Sequence, residues 1–539
     1  MDSLPPEGTL PSPLHPPPAS GLIHELLDTA AAAVPDRTAV RDPQGSWTYR
    51  RLARRSLSFA GWLRRRGVLP GDRVLLRLPS ERPTVAMAHG VSRAGAVLVP
   101  VNPRMRPYHL RSVLRSAEPR IVITDAEGRE RLRGLTAVPV LDVAEVWPEA
   151  EAEPADALPA AAGAADPAVL IYTSGSTAEP KGVICPHAQM TFATRALTSV
   201  LGYRPADVVF CRFPLSWDYG LYKTLMACAA RCEIVLSEGE SDLTLLARLR
   251  ESRATVVPIV PSMAAMILRL SERDRDPIPS VRLLTNTGDV LPRAAIDGLR
   301  ERFPGARVVR QYGQTEAKRI TVMPPGQDRE RPDSVGLPLP GTRVMILDER
   351  GAAVPPGQVG EIVVAGPHVM AGYWRAPEET ARAFRREAGE ARKPGEARDP
   401  GEAGGPGEAG EAGETRLHTG DYGRLDADGY LYFEGRRDTL FKRNGVRVSA
   451  LEIEAAASDI PGVRAAAVLP PGDRHDLSLF VEGELEPAEV LRLLRDRLEP
   501  EKVPRICRVL PRLPLTPHGK TSRRDLAALL DDPVAEGAG

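Results

Sequence analysis

The chain has 539 residues and equal numbers of basic and acidic side chains, 71 of each, so no global field draws it toward nucleic acid or an anionic membrane surface. Its length exceeds what one hydrophobic core supports and asks for several packed units, and its 42% apolar and 26% charged residues are globular values. Five cysteines without paired metal-ligand spacing, no charged-then-apolar leader and no apolar run of about 18 residues argue against a disulfide scaffold, secretion and a membrane span, and predict a reduced, cytoplasmic protein.

Residues 1–20 are proline-rich and poor in large apolar groups, which predicts a flexible lead. From Leu22 onward, short apolar runs such as Arg73-Val-Leu-Leu, Ala96-Val-Leu-Val and Ile121-Val-Ile-Thr alternate with helical stretches such as Leu52 to Arg66. That alternation predicts an α/β architecture with largely buried strands. Glu151 to Ala165, rich in alanine, proline and acids, reads as a surface loop ahead of the strand Ala168-Val-Leu-Ile-Tyr. Residues 386–415 repeat Gly-Glu-Ala units, lack the apolar surface to offset their ordering entropy, and read as a disordered loop. After Gly435 the pattern restarts, with strands near Ala465 to Leu469 and Leu477 to Val481 and a helix from Pro487 to Leu498, as a small α+β unit.

Thr173-Ser-Gly-Ser-Thr-Ala-Glu-Pro-Lys-Gly follows the apolar strand Val169-Leu-Ile-Tyr at once. Hydroxyls and amides of Thr173, Ser174, Gly175, Ser176 and Thr177 in such a loop suit phosphate oxygens, and Lys181 supplies a point charge for a pyrophosphate leaving group. The Gly-Lys-Ser/Thr signature of P-loop NTPases is absent from this segment. Basic residues are unevenly chosen, with seven lysines against 64 arginines, so each lysine carries weight.

This run resembles the first phosphate loop of the adenylate-forming superfamily, which includes acyl-CoA synthetases, nonribosomal peptide synthetase adenylation domains and luciferase-like enzymes. The likeness extends from about Leu22 to Leu530 through Arg310-Gln-Tyr-Gly-Gln-Thr-Glu316, Thr419-Gly-Asp421, Gly435-Arg-Arg-Asp438, Lys442-Arg-Asn-Gly445 and Pro514-Leu-Thr-Pro-His-Gly-Lys520. Two departures stand out: Ala178 occupies a position where the family usually has glycine, and Arg310 one where it commonly has asparagine. Ser92 to Pro100, Val335-Gly-Leu-Pro, and Gly360 to Gly366 with Gly372-Tyr-Trp are family-like and read as structural.

The resemblance implies a large, multi-subdomain N-terminal α/β domain over residues 21–437 and a small mobile C-terminal domain over 438–539 that turns about Asp438. It implies ATP and Mg²⁺ as cofactors. Tyr312 would stack on adenine, Thr315 would contact phosphate, Glu316 would hold Mg²⁺, and Asp421 and Arg436 would bind ribose. Gly288, Asp289, Gln311 and Gly313 would complete the nucleotide site, and Lys520 would offset charge at the α-phosphate. The carboxylate of a substrate acid would attack ATP, and the acyl-AMP would pass to an acceptor after the small domain rotates.

By the same resemblance Trp217, Asp218, Tyr219, Tyr222 and Arg319 line the acid pocket. An aspartate at the position of Asp218 pairs with a substrate ammonium in amino-acid-activating members, and the two tyrosines leave little volume. A small amino acid, first alanine, is therefore expected. Arg319 could instead meet a second carboxylate, and Lys318 is expected to face solvent. The likeness to stand-alone ligases of natural-product assembly lines, including those of macrolactam antibiotics, implies an acyl carrier protein in trans, accepting on its phosphopantetheine thiol or on a tethered amine. Coenzyme A is the alternative acceptor. An acyl-CoA synthetase for a small acid and an inactive nucleotide-binding homologue are the competing readings.

Overall fold

The computed structural model describes residues 21–105, 107–156, 162–173, 180–288, 291–386, 414–436, 440–443, 446–471, 475–498, 502–516 and 521–531. The chain is mixed α/β, as the alternation of runs predicts. A 14-stranded sheet contains a parallel run in the order Arg307–Tyr312, Leu283–Asn286, Val256–Ile259, Val208–Cys211, Glu233–Leu236 and Thr38–Asp42. Three of these strands, Val256–Ile259, Leu283–Asn286 and Val208–Cys211, are apolar or buried nearly throughout, as expected of parallel strands covered on both faces. Beyond Tyr312 the sheet turns antiparallel, through Thr321–Val322, Ser334–Pro338, Leu431–Arg436 and Thr415–Leu425. Tyr312 and the turn after it that carries Glu316 therefore sit where the parallel and antiparallel halves meet.

A six-stranded sheet carries Arg73–Arg77, Val97–Pro100 and Ile121–Thr124, the three apolar runs read from the sequence, and ends in the antiparallel pair Pro167–Thr173 and Lys181–Pro186. Helix Tyr49–Arg65 covers the stretch read as Leu52 to Arg66, capped by Thr48, whose side chain accepts from the Arg51 amide. Strands Val463–Leu469, Ser478–Gly483 and Ile506–Leu510 form a separate three-stranded sheet with helix Pro487–Arg495, in agreement with the small α+β unit. Its core, built on Ile453, Val468, Leu479, Val481 and Leu494, is distinct from the large one.

Two loop expectations change. The segment beginning at Glu151 is anchored at its start: Ser58 donates to the Glu153 carbonyl at 2.9 Å and Glu153 is buried, because the end of the preceding helix packs against Tyr49–Arg65. The Gly-Glu-Ala segment leaves and re-enters a single antiparallel ladder, since Arg386 is the register partner of Thr415 and Phe384 that of Leu417. Of the residues read as disordered, 386–415, Arg386 and Thr415 are strand residues, and 387–413 lie outside the described residues, as do the Pro-rich lead and Asp438, the expected hinge.

Candidate active site

Thr173 ends one strand and Lys181 begins the next, and the two are register partners, so the phosphate-suited run connects two paired antiparallel strands. Ser174, Gly175, Ser176 and Thr177 lie outside the described residues, together with Asp289 and Lys520. The Lys181 ammonium lies 5.7 Å from the ring centroid of Tyr373. The Tyr373 hydroxyl donates to Glu316 Oε1 at 2.7 Å, and burial and that carboxylate push the phenol well up. Glu316 itself is buried, in the short turn Thr315–Ala317, whose position follows from strand Arg307–Tyr312. Tyr373 thus joins Lys181 to Glu316, a role the sequence reading missed by treating Gly372-Tyr-Trp as structural. The cue was a tyrosine kept in an otherwise packing-type motif in a chain with only 11 tyrosines.

Tyr312, Asp421 and Arg436, distant in sequence, converge. The Tyr312 hydroxyl donates to Asp421 Oδ2 at 2.7 Å, Arg436 Nε stands 3.3 Å from Asp421 Oδ1, and the Tyr312 and Phe433 rings are 5.3 Å apart. Asp421 and Arg436 are cross-strand partners, which explains their pairing. Gly288 follows its strand at φ +92°, a conformation that favours glycine. Gln311, expected at the nucleotide, accepts from Arg319 Nε at 3.3 Å. Arg310 turns away toward the carbonyls of Arg331 and Pro332, where the asparagine it replaces would be too short to reach.

The residues expected to line the acid pocket gather at the first turn of helix Asp218–Ala230, which is buried almost all round. Gly220 admits this arrangement, since a Cβ there would lie 2.2 Å from the Pro214 carbonyl oxygen. The expectation that Lys318 faces solvent is overturned: it is 2% exposed, and its ammonium is 3.0 Å from Asp218 Oδ2. The reason is backbone geometry. Lys318 adopts φ +53° directly after the Thr315–Ala317 turn, and Gly313 lets the chain fold back, because a Cβ there would stand 2.4 Å from the Lys318 carbonyl oxygen.

Around this pair the ring of Tyr219 meets three basic side chains: Lys223 at 4.8 Å, Arg319 at 5.1 Å and Lys318 at 5.7 Å from its centroid. Tyr219 is fixed by its hydroxyl, which donates to the Thr285 carbonyl at 2.7 Å. Tyr222 packs with its centroid 4.2 Å from Lys318 Nζ, and Trp217 stands next to Phe213 at 6.2 Å between centroids. Burial works to raise the Asp218 carboxyl, but Lys318 and Arg319 overcome it and hold it below the usual value. Burial lowers Lys318 to about 7, against the opposing pull of Asp218. Burial also drives Lys223 far below the lysine range, and Lys318 and Arg319 add to the shift. Lys223 was not anticipated as a pocket residue; its signal was a lysine inside an otherwise apolar helix.

The residues present suit MgATP. Mg²⁺ is commonly held by one or two carboxylates together with substrate phosphates rather than by an all-protein cage, and Glu316 offers one oriented carboxylate beside Lys181. Among the described residues no larger group of potential metal ligands occurs.

Residues 27–374 match the AMP-binding enzyme family. The probable non-canonical nonribosomal peptide synthetase CymA of Salinispora arenicola is 34% identical over 95% of the chain, which spans 6% of that protein's length; two other curated relatives are spanned for 45% and 25% of theirs. Among solved structures, VinN in complex with L-aspartate is 47% identical with a TM-score of 0.68, over 77% of this chain and 99% of VinN. ATP-bound MatB from Rhodopseudomonas palustris is 26% identical with a TM-score of 0.81, over 94% of this chain and 99% of MatB. A match over residues 27–374, more than half of the 539, places this chain in the AMP-binding enzyme family.

Proposed function

We propose that this chain activates a small amino acid bearing a second carboxylate, of the aspartate type, as its aminoacyl-AMP at the expense of ATP. One observation carries the reading: two cationic side chains, Lys318 and Arg319, stand over Tyr219 with a single carboxylate, Asp218, ion-paired to Lys318. Arg319 is buried and hydrogen-bonds only neutral groups among the described residues, the Gln311 side chain and the Lys318 carbonyl. Buried charges call for partners, and a substrate with one ammonium and one spare carboxylate supplies the complement. Alanine, the expectation from pocket volume alone, brings the ammonium without the anion. VinN, which the chain resembles over most of its length, binds L-aspartate.

In this reading the substrate carboxylate to be activated attacks the α-phosphorus and pyrophosphate leaves. Lys181 faces the departing phosphates, Asp421 and Arg436 hold ribose, and Tyr312 with Phe433 forms the adenine wall. Mg²⁺, when bound, offsets phosphate charge as the leaving group develops. Glu316 would hold it, and Tyr373 keeps that carboxylate aimed. Lys520 and the turn about Asp438 complete the expected cycle of adenylation followed by acyl transfer to a carrier protein in trans.

The test is ATP–pyrophosphate exchange with a panel of acids, followed by transfer assays with holo carrier protein and with coenzyme A. Aspartate or a 3-substituted aspartate should exceed alanine and simple aliphatic acids, and Asp218→Asn should depress the preferred rate. Equal exchange with aliphatic acids, or no exchange with any acid, overturns the reading; AMP release driven by coenzyme A but not by carrier protein moves the acceptor.

A further inference from the structure

We propose that Lys318 is a built-in occupant of the substrate's ammonium site and that binding is an exchange of ion-pair partners: the substrate ammonium takes Asp218 as Lys318 turns to the substrate's second carboxylate. The inference rests on the dicarboxylic reading above and goes beyond it, because the two substrate charges are then recognised as a unit rather than one by one.

The starting pair is direct, Lys318 Nζ to Asp218 Oδ2 at 3.0 Å. An amino acid whose ammonium approaches Asp218 therefore meets a carboxylate already engaged. Lys318 has no route to solvent at 2% exposure, so displacing it without a replacement leaves a buried, uncompensated cation, which is strongly unfavourable. An acid without an amine has the converse difficulty: when Lys318 turns to its spare carboxylate, no ammonium replaces Lys318 at Asp218, which is left a buried anion. Only a substrate with both groups leaves every charge paired.

The receiving side is also built. Tyr222, whose ring lies 4.2 Å from Lys318 Nζ, has a buried hydroxyl with no hydrogen-bond partner among the described residues. Arg319 follows Lys318 in the chain and, among the described residues, hydrogen-bonds only neutral acceptors. A carboxylate between Lys318, Arg319 and the Tyr222 hydroxyl would use donors that the protein itself leaves unspent. Lys318 needs only side-chain rotation, since its backbone is pinned by the turn that gives it φ +53°.

The test is a square of substrates on the unmodified enzyme, read as kcat/KM for ATP–pyrophosphate exchange. Its corners are aspartate, succinate without the amine, propionate without either group, and the amine alone as alanine or β-alanine, which keep different carboxylates of aspartate. Exchange of partners predicts that the aspartate and propionate values multiplied together exceed the product of the other two corners by roughly tenfold or more, the signature of coupled groups. A ratio within about twofold of unity means that Lys318 and the substrate amine share Asp218 additively, and it overturns the proposal. Lys318→Met provides a second readout: it should weaken aspartate while raising the absolute rate with the amine-only acid, and an equal fall for both substrates overturns the exchange. If aspartate leads the panel but the square is additive, the exchange alone fails; if alanine or an aliphatic acid leads, the dicarboxylic reading fails and the exchange with it.

Discussion

Tyr373 illustrates how one hydroxyl orients a charged group. It donates to Glu316 at 2.7 Å while its ring faces Lys181, and hydrogen bonds to charged groups contribute about 1.5–3 kcal/mol. Tyr373→Phe should therefore raise the KM for MgATP roughly tenfold or more with little change in thermal stability, measured by exchange kinetics across Mg²⁺ concentrations; an unchanged KM would remove Tyr373 from the nucleotide site. Gly313 acts through space it does not fill. A methyl group at this position would meet the Lys318 carbonyl and the Arg319 Cα at 2.4 and 2.7 Å, so Gly313→Ala must push the two pocket cations out of place. The expected outcome is a loss of amino-acid selectivity larger than the loss of nucleotide binding, read by comparing the two KM values.

At the level of elements, helices Ile23–Ala33, Arg82–Arg93 and His187–Val200 bring three histidines inside. His187 Nδ1 accepts from the Ile23 amide at 3.2 Å, and His24 contacts Ser92 at 2.9 Å. Burial lowers His24 and His187 to about 4 and His89 to about 3, helped by Arg93 at His24 and His89 and by His24 at His187. Their folded values lie below the unfolded value of about 6.5, so the unfolded chain takes up protons first as pH falls. The histidines' contribution to stability should be level above about pH 6.5 and decline progressively toward pH 4, which Tm measured from about pH 6.5 to 4 checks, and His89→Gln should flatten that slope. Another element-scale consequence follows from the Arg386 and Thr415 register. Directly paired residues lie about 5 Å apart, so replacing residues 387–413 with a short Asn-Gly turn should leave Tm and exchange activity close to those of the full chain.

For the whole molecule, separate cores predict separate cooperativity. The small C-terminal core around Leu479, Val481 and Leu494 does not merge with the large one. Leu479→Ala, at a fully buried position, should cost about 2–5 kcal/mol and shift only one of two calorimetric transitions; a single transition that shifts as a unit would show that the two cores unfold together.

The α/β class, the apolar strands at 73, 97, 121 and 167, and the small α+β unit near the end were legible in the sequence because periodicity and run length are local properties. So were Lys181, Glu316, Asp421 and Arg436 as motif residues, since their order along the chain carries the resemblance. The pocket's charge balance was not. Asp218 and Lys318 are 100 residues apart, and no local pattern distinguishes a lysine that faces water from one folded inward by a left-handed turn. The same holds for Tyr373 on Glu316 and for Arg310 on the carbonyls of Arg331 and Pro332. The sequence by itself determined the family and supplied the candidate nucleotide-binding motifs, which are contiguous stretches of chain. Only the tertiary structure decided which charges the acid pocket holds, because ion pairing in a buried site depends on through-space distance and desolvation, and neither is encoded in any single stretch of chain.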